Sequence, residues 1–600
     1  MRDVIVIGAG GGGPIVAKEL AARGLDVLLL EAGPRHADPE RQWSHFENDA
    51  SHYLRWGPAD RAKPAWLREL PHNGAIAQLS GVGGTTQHYL GNSPRAMPGA
   101  FAGYAGADAD AYDTAHRFPF AYHELVPYYE WVEHTLPVQT APMGTKEAVF
   151  FRGAERLGLP LNTTKDITRD SFRPQENAIL QPGGNAGRTT DADRLVWPQA
   201  TGCTLCGFCA QGCYQPRQAP ANLKAKRSTD NSYVPMALTA GRWQPGGRDV
   251  TLIADAFVTA IGAAPQGGET VAHHVTWRVG ATGERVTEEA KVIVLAGGAT
   301  ESPRLWLNSN LPNPNDWVGR GYTDHYFDGV LAEFDEDTGS SKGPVSAARA
   351  DFPGRGWLLH AGFQPAFTAL LHGFSDGGIA GFYGNGHPDT AGADTTGRLI
   401  GNRFADSMSG IGRLLLVGAI TDDDVEPNNR VTLSHAYPPD EHGAIPKVFF
   451  DHRHRSARTV ANREFLTRKA VELVRAAGAR AVHRLNMPPL ILHTMSTMRM
   501  GLDAADSVCD PNGAARAVRH LYIADNSVLA NSLGGPNPTL TTQAVATRTA
   551  ETIFTLEFGG DPWVGHEAPV SSIDPIVTQA VVDQEPIWRT RAGSAPARLQ

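Results

Sequence analysis

At 600 residues the chain is too long for one ordinary core, so two large domains or one interleaved pair is expected. Its residues are 41% apolar and 20% charged, a globular balance, and 65 Gly with 42 Pro suit a turn-rich fold short of the disordered range. The net charge is −9, from 54 basic and 63 acidic residues with no long basic run, which excludes a nucleic-acid partner because phosphate binding needs clustered Lys and Arg.

No apolar stretch approaches the ~18 residues that span a bilayer, so no transmembrane segment is expected. The N-terminal run MRDVIVIG enters a strand pattern at once and leaves no room for a signal peptide. A cytoplasmic location is the expectation, with export alongside a signal-bearing partner subunit as the alternative.

Residues 3–7 read as a short buried parallel strand, 14–23 as a helix opened by Pro14 and closed by Gly24, and 25–30 as a second buried strand. Between the first strand and the helix, Gly8, Gly10 and Gly13 form G-x-G-x-x-G. Gly8 permits a tight turn, Gly10 lets backbone approach a pyrophosphate, and Gly13 lets the helix pack on the strand. The helix N-terminus adds N–H donors and a positive dipole. Glu31 ends the second strand, where a carboxylate can accept hydrogen bonds from ribose hydroxyls. Glycines alone say little in a glycine-rich chain. Strand, glycines, helix, strand and acid in this order predict a dinucleotide site, without separating FAD from NAD.

Residues 35–190 are irregular and rich in aromatics, Gly and Pro, the pattern of a long excursion over a rigid scaffold. Cys203, Cys206, Cys209 and Cys213 follow as C-x2-C-x2-C-x3-C, the spacing of ferredoxin-type iron–sulfur ligation, although Tyr214 replaces the usual Pro after the fourth Cys. Such crowding argues against a disulfide framework. An iron–sulfur cluster is expected, with bound zinc or an empty thiol loop as alternatives. Strand patterns return at 250–254, 274–279 and 291–295. From about 330 to 455 they become spaced and antiparallel-looking, at 329–334, 378–383, 413–420, 430–434 and 447–451. A long helix then carries Val460, Leu466, Ala470, Leu473 and Ala477 on an apolar stripe and stops at Gly478. A last helix is expected over 541–558, and the Pro-rich, aperiodic residues 560–600 read as a tail or wrapping arm.

Four further segments carry a resemblance. They are GVGGTTQHYLGNSPR at 81–95, VIVLAGGATESPRLWLNS at 292–309, and VGRGYTDH ending at Asp324 and His325. The fourth is a C-terminal block of HTMSTMRMG from His493, LYIADNSVLAN from Leu521 and GPNPTLTTQAVATRTAETI from Gly535. In this order and spacing they resemble the glucose–methanol–choline (GMC) oxidoreductase family over most of residues 1–558. The resemblance implies FAD rather than NAD, and an α/β fold (α+β overall). A Rossmann-like FAD-binding domain would be built from residues 1–330 and 486–560, with the excursion 35–190 covering the flavin and the Cys-rich segment 203–213 attached. An antiparallel-sheet substrate domain with helices would span 331–485, and 561–600 would be a tail.

By the same resemblance, Gly83 and Gly84 lie in a loop along the flavin, and backbone near Val258 meets the adenine. Asp525 and Asn526 lie near the pyrophosphate and ribityl chain, and Pro538 and Thr539 run beside the isoalloxazine. His88 matches the position at which pyranose oxidases tether FAD covalently, although their Thr-His-Trp is here Gln87-His88-Tyr89. A packing role without a covalent bond is the alternative.

Alcohol oxidation removes a proton from oxygen and a hydride from carbon, so the protein must take the proton and fix the carbon beside the flavin. His493 and Asn537 match the family's catalytic pair. A histidine titrates near neutrality and suits the base, and an amide can orient the hydroxyl and stabilise a developing alkoxide. A helix-capping role is the rival reading of Asn537. Asn rather than His at that place resembles pyranose oxidases and sugar dehydrogenases. The expected activity is therefore FAD-dependent oxidation of a hydroxyl of a sugar, glycoside or polyol. Electrons would pass to an acceptor other than O2: a cluster, a quinone, or an electron-acceptor protein or small partner subunit. The rivals are an oxidase making H2O2, an enzyme for bulky aliphatic or steroid alcohols, a redox-neutral lyase and a flavoprotein without catalysis.

Overall fold

Two apolar runs, too short for helices and too continuous to face water, start the chain. They form β1 (Arg2–Ile7) and β2 (Val27–Leu30), with α1 (Gly13–Ala22) between them, buried on every side. The protein's structure, a computed structural model, describes residues 1–35, 75–182, 202–213, 224–280, 282–375, 399–440, 442–451, 455–485 and 490–593. The strand expected at 378–383 lies outside the described residues. Next come α2 (Tyr122–Thr135), α3 (Thr145–Arg156) and β3 (Ser171–Pro174). Then follow β4 (Thr251–Ile253), β5 (Ala256–Gln266), β6 (Glu269–Val279), β7 (Arg285–Leu295) and α4 (Gly298–Asn308). The second half opens with β8 (Asp328–Glu333), β9 (Ala348–Phe352), β10 (Gly356–Ala361), α5 (Pro365–His372) and β11 (Leu414–Thr421). It continues with β12 (Arg430–Leu433), β13 (Pro446–Phe449), α6 (Ala457–Ala476) and β14 (Ala481–Arg484). β15 (Leu521–Ile523), α7 (Thr539–Phe558) and α8 (Pro575–Gly593) close it.

The first sheet runs β5-β6-β7-β1-β2-β4, with β15 also paired to β7. β7 does two jobs. Its first half, alternately exposed, pairs antiparallel with β6. Its second half, AKVIVL, is almost continuously buried and pairs parallel with β1 and β15. The switch from alternating to continuous apolar pattern marks the passage from a half-wet ribbon to a sheet covered on both faces. α1 and α7 cover this sheet's core together with Tyr129, Trp131 and Val132 of α2.

The second sheet is wholly antiparallel, in the order β14-β8-β11-β10-β9-β3. α6 lays Leu466, Ala470, Leu473 and Ala477 on it, beside Val149 and Phe150 of α3. Val460, expected on the same stripe, is exposed. The sheet reaches outside residues 331–485, because β3 forms its edge and β8 starts at Asp328. The excursion 35–190 is therefore not irregular throughout: α2, α3 and β3 bury their aromatic and aliphatic residues against partners hundreds of residues away. β12 and β13 form a separate two-stranded antiparallel sheet. The tail holds α8, with Val577, Ala580 and Val581 buried. Among the described residues no helix is long and apolar enough to cross a membrane.

Asp328 joins the second sheet to α6. Its buried carboxylate accepts from Arg484 of β14, lies 3.1 Å from Arg463 of α6, and accepts from Thr467 at 3.2 Å. Burial works against the charge, yet the two guanidiniums hold its pKa down at about 2. Removing one partner of a buried pair strands the other's charge. Asp328→Ala should cost about 3 kcal/mol in chemical denaturation; a loss within about 0.5 kcal/mol, the usual size for an uninvolved surface site, contradicts this account.

Candidate active site

The turn after β1 is held by backbone touching backbone. A Cβ on Gly8, whose φ is +105°, would lie 2.3 Å from the Ala296 carbonyl oxygen at the end of β7. On Gly12 it would lie 1.7 Å from the Ala524 oxygen after β15, and on Gly13 1.9 Å from the Gly8 oxygen. Gly13 thus packs helix on strand as expected, and Gly12 adds a contact that sequence reasoning passed over within the run GAGGGG. Gly10 differs: its nearest neighbour would be the Gly84 Cα at 4.0 Å, so it borders open space. The Thr229 hydroxyl donates to the Gly10 carbonyl at 2.9 Å and closes the turn from outside.

The acidic residues sit around this turn. Glu31 accepts from Ala9 N–H and Gly33 N–H, both at 2.8 Å, and burial raises its pKa to about 7 against those bonds. Asp525 accepts from Gly298 N–H at 3.0 Å, the Ser302 hydroxyl at 2.6 Å and Ser527 N–H at 2.7 Å. It therefore ties the segment after β15 to the start of α4, whose Gly298 would place a Cβ in open space. Asn526 accepts from Thr542 of α7 at 2.5 Å. The N-terminal ends of α1, α4 and α7 all border one cavity of about 720 Å³, an arrangement rich in N–H donors and positive dipole. Gly10, Gly298 and these donors fit the pyrophosphate of FAD.

The same cavity brings together Gly8, Gly10, Glu31, Gly84, His88, Val258, Asp525, Asn526, Pro538 and Thr539 with His493 and Asn537. Gly13 and Gly83 stand behind its wall. A Cβ on Gly83 would meet Asp230 at 2.7 Å.

His493 is half-buried on the cavity wall, and desolvation and then the His325 ring, 5.0 Å away between centroids, hold its pKa well below 6.5. Its ring is neutral and able to accept a proton. Asp324 grips its backbone, accepting His493 N–H at 2.7 Å and Leu492 N–H at 3.3 Å. Burial raises the Asp324 pKa to about 7. His325 Nδ1 donates to the Thr421 carbonyl at 2.7 Å. The VGRGYTDH segment thus supports the His493 loop, a link that spacing does not reveal. Asn537 does not cap α7: the cap position is Pro538 and no side chain bonds there. Its Oδ1 is buried without a hydrogen-bond partner.

His88 follows a short turn at Gly84–Gln87. Burial and the Lys226 ammonium push its pKa down to about 3, so this ring is neutral too. Lys226 is itself buried and donates to the carbonyls of Gln87 at 2.7 Å, Tyr89 at 2.8 Å and Cys209 at 2.6 Å. It stitches the His88 loop to the cysteine segment, of which Ala210 reaches the cavity. Cys203 Sγ accepts from Leu205 N–H at 3.4 Å and Cys213 Sγ from Lys226 N–H at 3.5 Å. Burial pushes the Cys203 and Cys209 thiols up to about 12. Among the described residues, the four cysteines included, no three His, Cys, Asp or Glu side chains form a group that could hold a metal ion. The thiols as placed do not fit a cluster.

Two family models described as GMC oxidoreductase match residues 170–327 and 426–546. A third, described as lycopene cyclase protein, matches residues 3–58, around the glycine turn. The chain is 27% identical to 6'''-hydroxyparomomycin C oxidase of Streptomyces lividus, over 92% of this chain and 91% of that one. It is 26% identical to 2-methyl-1,2-propanediol dehydrogenase of Mycolicibacterium austroafricanum, over 92% and 95%. It is 24% identical to the fructose dehydrogenase large subunit of Gluconobacter japonicus, over 92% and 97%.

The glycines give a paired test. Gly10→Ala should leave thermal stability of the flavin-free protein within about 0.5 kcal/mol but lower its flavin content, whereas Gly12→Ala should cost about 2 kcal/mol or more through overpacking. Equal stability of the two variants contradicts the geometry.

Proposed function

The chain belongs to the GMC oxidoreductase family, and from that premise we propose that it oxidises an alcohol, with His493 taking the hydroxyl proton and Asn537 holding the oxygen. The observation that carries the reading is that a neutral histidine and an asparagine side chain that does not cap α7 line one cavity with the glycine turn. FAD, when bound, supplies the acceptor for the hydride leaving the alcohol carbon.

His493 accepts the proton at a ring nitrogen. No carboxylate is among the causes that set its basicity; its orientation comes from Asp324 through the backbone. The Asn537 amide N–H donates to the substrate oxygen and opposes charge build-up on it. The half-buried setting of both side chains limits the water that can compete for the proton. Glu31, Asp525 and Asn526, with the three helix N-termini, are proposed to hold the cofactor's ribose and pyrophosphate side. Val258 would lie by the adenine, and Gly83, Gly84, Pro538 and Thr539 by the flavin.

The names of the relatives span an aminoglycoside, a diol and fructose, and include both oxidases and dehydrogenases. Likeness to the fructose dehydrogenase large subunit over nearly its whole length supports an acceptor other than O2, with a partner subunit. Stoichiometric peroxide at the full turnover rate would replace that acceptor by O2 without touching the alcohol chemistry.

His493→Ala should slow anaerobic bleaching of the flavin by alcohol about 100-fold or more, with the flavin still bound. The base acts unprotonated and its pKa lies well below 6.5, so wild-type kcat/KM should stay flat as pH falls through 6.5. An acid limb centred at 6.5 or above speaks against this environment for the base. For His88, acid precipitation decides the attachment: flavin retained in the pellet supports a covalent tether, and flavin released to the supernatant removes it.

A further inference from the structure

α5 is built the wrong way round for a surface helix. Its polar Thr368 and His372 are buried, whereas Phe367 and Leu371 are half-buried and Leu370 is 46% exposed. Rotation to the ordinary orientation is blocked by hydrogen bonds. His372 Nδ1 bonds the Ser375 hydroxyl at 2.7 Å, and its Nε2 the Ser407 hydroxyl, also at 2.7 Å. Ser407 in turn donates to Glu333, which also holds His483 Nε2 at 3.0 Å. The apolar side is thereby presented to the cavity that His493 lines, where Phe367, Leu370 and Leu371 form part of the wall.

The second sheet supplies further apolar wall. Leu416, Gly418 and Ile420 share one face of β11 by alternation, and Leu359 and Ala361 of β10 pair beside them. Phe327 lies over Gly418, where a Cβ would come 3.0 Å from its ring. The charged side chains bordering the cavity, among the described residues, are Glu31, Glu301, Arg304 and Asp525. All four belong to the nucleotide-binding side. None comes from α5, β10 or β11.

We infer that this end of the cavity takes the hydrocarbon body of the substrate. The substrate is then an alcohol with an aliphatic or alicyclic skeleton, its hydroxyl at His493 and Asn537. The inference rests on the alcohol-oxidation reading above. A polyhydroxylated skeleton would surrender water at each hydroxyl and find no partner on these walls. A hydrocarbon chain gains about fourfold in affinity per methylene buried.

The test follows anaerobic flavin bleaching in the FAD-loaded protein with primary alcohols from butan-1-ol to decan-1-ol, against fructose and glycerol. kcat/KM should climb about fourfold per methylene along the series, and decan-1-ol should outpace both polyols. A flat series, or faster bleaching by fructose or glycerol, overturns the inference and leaves alcohol oxidation standing. Phe367→Asn with Leu371→Asn should flatten the series; an unchanged slope overturns the placement. Should no alcohol bleach the flavin, binding separates the two readings, followed by perturbation of the flavin spectrum with butanamide and decanamide as unreactive probes. Tighter binding of decanamide keeps the apolar site while the oxidation reading falls, and equal binding overturns both.

Discussion

Backbone contact at the first turn is the constraint on which the rest of the structure depends. Gly8, Gly12 and Gly13 let peptide carbonyls of β7, of the segment after β15 and of the turn itself come where a Cβ would otherwise stand. That proximity brings the ends of three parallel strands and the starts of α1 and α4 to one point, and Asp525 fastens the last of them through Gly298 and Ser302. Separations of this size leave no room for adjustment by side chains. The cavity's donor-rich end is thus a by-product of how the sheet closes, and the apolar end follows from where the second sheet is laid against it.

The acid–base character of the site comes mainly from desolvation. His88, His325 and His493 all have pKa values pushed down by burial, and in each case burial is the largest influence. Asp324 and Glu31 are raised for the same reason and spend their oxygens on backbone N–H groups. The result is a site with little fixed charge near the base. A neutral imidazole beside an amide favours taking a proton from a weakly acidic hydroxyl over gripping an anion. Orientation is delegated to the main chain, through the hold of Asp324 on His493.

What the sequence revealed was local or family-borne. β1, the glycines, α1 and Glu31 stand within one short stretch, so their order carries its own meaning, and the C-terminal block brought in His493 and Asn537. What stayed hidden depends on distant partners. α3 and β3 make sense only against α6 and β9, and Tyr129 and Trp131 of α2 only against the first sheet. The inverted α5 is fixed by Ser407 and Glu333, which no periodicity connects to it. The cysteine spacing was plain, yet spacing constrains sequence distance and not the direction of four sulfurs.

The double duty of β7 has a consequence in time. Its parallel half pairs Arg2 of β1 with Ala290 and Ile293 with Leu521, so the sheet cannot close before almost the whole chain exists. At synthesis rates of about 5–20 residues per second, β1 leaves the ribosome on the order of half a minute or more ahead of β15. Loop-closure entropy makes such non-local pairing slow in any case. Through that interval β1 can pair with β2, but its other edge waits for β7. The cavity, lined by residues from Ile7 to Thr542, is likewise complete only when nearly the whole polypeptide has been made.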